Sequence, residues 1–172
     1  MFSIVLFEPE IPANTGSIGR TCVATHTPLH LVGRLGFSLE DKYLKRAGLD
    51  YWKDVQLTCH KNWNDFVIFC KQKHSNPRFV FFSKKATRAY TDFKYQPHDY
   101  LVFGPETRGL SKEFLESPYP CLKIPTPGPV RSLNLSVATG IALFEALRQN
   151  GIQKTLESPL KALGAMGSES CK

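Results

Sequence analysis

Six short runs rich in β-branched and aromatic residues alternate along the chain with stretches of helical periodicity. They are FSIVLF at 2–7, LHLVG at 29–33, DVQLT at 54–58, RFVFFS at 78–83, DYLVFG at 99–104 and CLKIP at 121–125. The patterns between them predict helices at about 15–27, 40–48, 61–72, 110–116 and 133–150. Several strands are apolar on successive residues rather than alternate ones, as a strand covered on both faces requires. Alternation with strands of this kind predicts an α/β fold, a mainly parallel sheet with helices on both faces. At 172 residues the chain fits one domain, large enough to bury a core. After Gly151 the composition shifts to KTLESPLKALGAMGSESCK. This predicts a domain over 1–152 and a C-terminal tail over 153–172.

The chain carries 22 Lys and Arg against 15 Asp and Glu, a formal charge of +7. An excess of that size favours a polyanionic partner such as RNA, since phosphate contacts release counterions. A basic enzyme with no such partner fits the charge equally well. Five cysteines, odd in number and without a CxxC pair, predict reduced thiols in a cytoplasmic protein rather than a disulfide framework. Five histidines without an HExxH pattern predict no metal site. The start MFSIVLFEPE reaches an acid at Glu8 and has no basic opening, so it does not read as a signal peptide. No apolar run approaches membrane-spanning length, so no membrane partner is expected.

Ligands of open α/β sheets bind beyond the carboxyl ends of the strands. Three such ends carry unusual sequence. EPEIPANTGSIGR at 8–20 is a proline-bearing loop entering a helix near Asn14. Asn14 and Thr15 are natural caps there, and Arg20 faces either the strand ends or solvent. LVFGPETRGL at 102–110 ends an apolar strand at Gly104 and follows it with Glu106, Arg108 and Gly109. It has no GxGxxG and no Walker lysine, so it suits a flat nucleoside held by backbone groups better than a phosphate cradle. KIPTPGPVRSLNLS at 123–136 stiffens its approach with three prolines and then crowds Arg131, Ser132, Asn134 and Ser136 onto a helix start. One side chain suffices as a cap. The others either over-cap the helix or face a ligand.

No carboxylate pair with a histidine, GxSxG or Cys-His arrangement is present. Chemistry resting on orientation and electrostatics fits better, and methyl transfer from an already activated sulfonium is of that kind.

Together the three loops resemble the SPOUT superfamily of RNA methyltransferases over residues 2–150. They are most similar to the small single-domain family that methylates the ribose of tRNA nucleotide 34, cytidine or a modified uridine. NTGSIGR looks like that family's first motif, LVFGPETRGL its second and IPTPGPVRSLNLSVATGIALFEALRQ its third. DKYLKRAGLDYW at 41–52 is similar to a segment of the wobble-specific branch. Two positions depart from the pattern. Ser17 stands where asparagine is expected, and Phe144 where tyrosine is common.

The resemblance implies a C-terminal deep trefoil knot, a homodimer built on helices of the first and third motifs, and S-adenosylmethionine as cofactor. It places Phe82, Ser83, Gly104, Glu106, Gly109, Ile124, Leu133 and Ser136 at the cofactor. It gives Arg20, Ser132 and Asn134 to the reaction, with Arg20 orienting the ribose hydroxyl or an adjacent phosphate. Lys42, Lys45, Arg46 and Arg131 are expected to contact the tRNA anticodon stem-loop. Lys84, Lys85 and Arg88 form a second basic patch. Tyr51 and Trp52 are either base-stacking aromatics or core. The rival expectations are a ribosomal RNA or other tRNA position as substrate, a noncatalytic RNA-binding protein of the same fold, and a flavodoxin-like nucleotide-binding domain.

Overall fold

Every expected strand forms, and most lose a residue or two at their ends. They are β1 (Ser3–Phe7), β2 (Leu29–Val32), β3 (Leu57–His60), β4 (Phe79–Phe82), β6 (Tyr100–Phe103) and β7 (Cys121–Lys123). A further two-residue strand, β5 (Arg88–Ala89), is too short to leave a periodic signal. The structure, a computed structural model, describes residues 1–39 and 51–151. The helix expected at 40–48, with Lys42, Lys45 and Arg46, lies outside the described residues, as do residue 152 and the expected tail at 153–172.

The strands pair in parallel in one sheet of order β3-β2-β1-β6-β4-β7-β5. Side chains alternate between its two faces. Ile4, Leu6, Leu29, Leu31, Val80, Leu101 and Leu122 join one core. α1 (Pro12–Ala24) and α4 (Leu135–Gln149) cover that face, contributing Ile18, Cys22, Ala142, Leu143 and Ala146. Val5, Val32, Phe79, Phe81, Tyr100 and Val102 join the other. There α2 (Trp63–Lys73) supplies Phe66 and Cys70, and the one-turn α3 (Lys112–Leu115) packs Phe114 and Leu115. Burial pushes the thiol of Cys22 up to about 12 and that of Cys70 to about 11, so both behave as small apolar groups.

Three boundaries differ from expectation for local reasons. Trp52–Asp54 winds into a 3-10 turn, so β3 begins at Leu57 rather than 54. Pro12 occupies the first turn of α1, where its missing N–H costs nothing, and the helix starts three residues before 15. It ends at Ala24, where Thr25 leaves helical geometry at φ −114° and His26 turns the chain at φ +52°. The helix expected at 110–116 shrinks to one turn. Trp52 and Tyr51 dock on α1. The Trp52 ring packs over Gly19, and the Tyr51 hydroxyl donates to the Gly16 carbonyl at 3.2 Å.

Candidate active site

The carboxyl ends of β4, β6 and β7 open into a cavity of about 410 Å³, within the roughly 300–1,000 Å³ usual for small-molecule sites. Phe82 and Phe103, paired across β4 and β6, stack their rings 4.7 Å apart at 13° and line it with Ser83 and Gly104. Loop 105–110 forms a second wall. Ile124 and Thr126 leave β7, and Ser132, Leu133, Asn134 and Leu135 bring in the start of α4.

Backbone demands explain the two glycines of the second loop. A Cβ at Gly104 would lie 2.5 Å from the Leu110 nitrogen and 2.7 Å from the Gly109 carbonyl carbon, because the loop folds back on its own start. Gly109 has φ of +66°, with nothing within 4 Å of where its Cβ would be, so conformation rather than space selects glycine. Its amide donates to the Pro105 carbonyl at 2.8 Å and closes the turn.

A continuous set of hydrogen bonds joins the three unusual loops. Asn134 Nδ2 donates to Asn14 Oδ1 at 2.9 Å, and Asn14 Nδ2 donates to Glu106 Oε1 at 3.0 Å. The Glu106 carboxylate also accepts from the amides of Glu10 at 2.8 Å and Ile11 at 3.3 Å. It therefore serves the start of α1 from across the sheet, where donors are free and the helix dipole favours an anion. A second clasp runs the other way. Glu10 accepts from the Thr107 amide and hydroxyl, both at 2.9 Å, and these bonds hold its carboxyl below the usual range. Arg108 pairs with Glu8, whose backbone is held at φ +47°.

Asn14 and Thr15 are thus not helix caps. Ile11 occupies the cap position, and Asn14 lies inside α1 with 7% exposure. The signal was Pro12, since proline prefers the first turn and so places Asn14 past the cap. At α4 the cap is Asn134, whose Oδ1 accepts from the Ser136 amide at 2.9 Å and hydroxyl at 2.7 Å. Ser136 does not line the cavity. Ser132 does, and its hydroxyl bonds to no other described residue.

The cavity therefore brings together Phe82, Ser83, Gly104, Glu106, Gly109, Ile124, Ser132, Leu133 and Asn134. Arg20 and Arg131 are exposed and outside it. Arg20 lies six residues past Asn14, about 9 Å along the axis and on another side of the helix. Its guanidinium sits 4.8 Å over the Tyr51 ring. Lys84 and Lys85 line the cavity mouth. Arg88 is held apart, its guanidinium 5.1 Å over the Phe93 ring and donating to the Asp92 carbonyl. Among the described residues no group of three or more His, Cys, Asp or Glu could hold a metal ion, and no helix is long and apolar enough to cross a membrane.

The family profile of the SpoU rRNA methylases matches residues 1–144. The chain belongs to the SpoU methylase family. It is 46% identical over 153 residues to a tRNA (cytidine(34)-2′-O)-methyltransferase of Saccharophagus degradans, covering 88% of this chain and 97% of that one. It is 44% identical to the protein of the same name from Yersinia pestis, over 88% of this chain and 95% of that one. A solved structure described as giving insight into 2-OH methylation of C/U34 on tRNA superposes with a TM-score of 0.82. The identity is 47%, over 87% of this chain and 95% of that one. An AdoMet-bound rRNA methyltransferase from Sinorhizobium meliloti superposes at 0.76 with 28% identity. This chain covers 56% of that longer one.

Proposed function

We propose that this chain transfers a methyl group from S-adenosylmethionine to the ribose 2′-hydroxyl of nucleotide 34 of tRNA, cytidine or a modified uridine. The observation that carries the reading is one cavity joining all three motif loops, in a chain that matches the wobble-position relatives over nearly their whole length. The tRNA position-34 relatives are 46% and 44% identical to this chain and the ribosomal RNA enzyme 28%, which favours tRNA over the ribosomal alternative.

The residues present fit the cofactor. Phe82, Phe103, Leu110, Ile124 and Leu133 give apolar walls for a flat base. The open space beyond Gly109 lets the backbone approach it, and Asn14, Ser132 and Asn134 give polar groups for an amino-acid arm. When bound, S-adenosylmethionine supplies a methyl group already activated on a sulfonium. The protein's task would then be to hold the ribose oxygen in line for attack while the hydroxyl proton passes to water. Ser132, with its unengaged hydroxyl, and Asn134, fixed through Asn14 to Glu106, position the ribose and the methionine end of the cofactor. Arg20 orients the ribose hydroxyl or its neighbouring phosphate, since a guanidinium is too weak a base for more at neutral pH.

A homodimer supports this use of Arg20. On its own subunit Arg20 points away from the cavity, so a second copy must bring one to it. α4 carries an outward apolar stripe, Val137 and Phe144, each 50% exposed and seven residues apart. Exposed Ile11 and Val130 lie near its start and that of α1, and such a patch marks an interface. The knot, the domain limit at 152, tRNA contact through Lys42, Lys45, Arg46 and Arg131, and a cytoplasmic location belong to the same reading. Insertion of β7 between β4 and β5 supports the knot. Unpaired cysteines among the described residues support the location.

The test is transfer of labelled methyl from S-adenosylmethionine to tRNA from cells lacking this protein, followed by nuclease digestion and mass spectrometry. A 2′-O-methyl at nucleotide 34 is expected, and label elsewhere overturns the substrate. Arg20→Ala should lose turnover and keep cofactor affinity. Equal turnover would remove Arg20 from the reaction.

A further inference from the structure

Lys84 and Lys85 stand at the mouth of the cavity, where the cofactor's own charge gives them nothing to do. S-adenosylmethionine carries a sulfonium and an ammonium against one carboxylate, a net positive charge, so two added cations beside it are unfavourable overall. The local turn nevertheless fixes both there. β4 ends at Phe82, Ser83 Oγ accepts from the Lys85 amide at 3.2 Å, and the Ser83 carbonyl accepts from the Ala86 amide at 3.2 Å. Neither ammonium pairs with an acid among the described residues. The nearby acids are engaged, Glu106 and Glu10 by hydrogen bonds and Glu8 by Arg108. The mouth is therefore cationic and open to an anion that comes with the second substrate.

We infer that Lys84 and Lys85 hold backbone phosphates flanking the nucleotide whose ribose enters the cavity. The inference rests on the reading of tRNA as substrate and assigns part of that site. Two ammonium groups on one turn after β4 would position the strand by charge and leave base identity to other contacts. Arg88, which the sequence groups with them, is turned to Phe93 and Asp92 and takes no part.

The experiment compares wild type with the Lys84→Ala/Lys85→Ala double variant. It measures S-adenosylmethionine affinity by calorimetry and tRNA affinity across 0.1–1 M salt. With a slope of about 0.7 per single-strand phosphate contact, losing two contacts should weaken tRNA binding roughly 25-fold at 0.1 M salt and hardly at all at 1 M. The salt slope should fall by about 1.4, and cofactor affinity should hold or improve. Loss of cofactor affinity with an unchanged salt slope overturns the inference and gives the lysines to the methionine carboxylate. Unchanged values in both, with wild type still methylating tRNA, overturn it and leave the function standing. A wild type that neither binds nor methylates tRNA overturns both.

Discussion

Asn14 carries more of the site than its place in the sequence suggests. It is buried, donates to Glu106 and accepts from Asn134, so its amide links the second and third loops through the first. Its amide does both at once, one end donating while the other accepts, and a carboxylate cannot. Asn14→Asp should therefore be worse than loss of a side chain. It sets a second carboxylate where Nδ2 now lies 3.0 Å from Glu106, and like charges at that range raise one another's pKa. The expected cost is about 1–3 kcal/mol at pH 8, with methyl transfer depressed. Part of the loss relative to wild type should return by pH 5, as one carboxyl takes up a proton. Urea unfolding of both proteins at the two pH values measures it, and a difference that does not change with pH would contradict the pairing.

At the level of elements, the second loop is a tight return built on two glycines that fail differently when replaced. Gly104→Ala drives a methyl into the Leu110 and Gly109 backbone, which cannot yield as a side-chain tip can. Overpacking of this kind costs about 1–3 kcal/mol and should move the loop, with at least a tenfold loss of cofactor affinity. Gly109→Ala meets no atom and pays only the left-handed conformation, about 1–2 kcal/mol. Thermal unfolding with and without S-adenosylmethionine separates the two. The first variant should lose most of the cofactor-induced shift in Tm, and the second should keep more of it.

Two properties belong to the whole molecule. One is the buried pair His30 and His60, diagonal neighbours on β2 and β3, with Nδ1 and Nε2 3.1 Å apart among Phe66 and Phe69. Burial, then His60 and Lys73, push His30 down to about 3, and burial also lowers His60. Both rings take up a proton less readily when folded than when unfolded. The stability they contribute is therefore complete above pH 6.5 and is lost as pH falls below it, down to about 3 for His30. The loss from His30 alone approaches about 1.4 kcal/mol per pH unit below 6.5. Urea midpoints at pH 7.5, 6 and 5 should fall in that order. The other is the proposed homodimer. Val137→Lys places a charge on the outward stripe of α4 and should give a monomer by sedimentation equilibrium, with cofactor affinity retained and turnover lost. A dimeric Val137→Lys protein would move the interface elsewhere.

The sequence by itself determined the layered α/β architecture and singled out the three loops that line the candidate cavity. Strand and helix periodicities lie within windows of four to fifteen residues, and apolar runs such as FVFF are buried at every position, so a parallel sheet with both faces covered follows from local pattern. The three unusual loops follow as strand ends. Only the tertiary structure decided what those loops do to one another. Asn14 meets Glu106 across 92 residues and Asn134 across 120, and no local window holds both partners. The same holds for β5, which exists through its pairing with β7, for Arg20, turned to Tyr51 instead of its own cavity, and for the separation of Arg88 from Lys84 and Lys85. Periodicity reports which face of an element is buried. Which polar groups meet is set by the order in which the strands assemble.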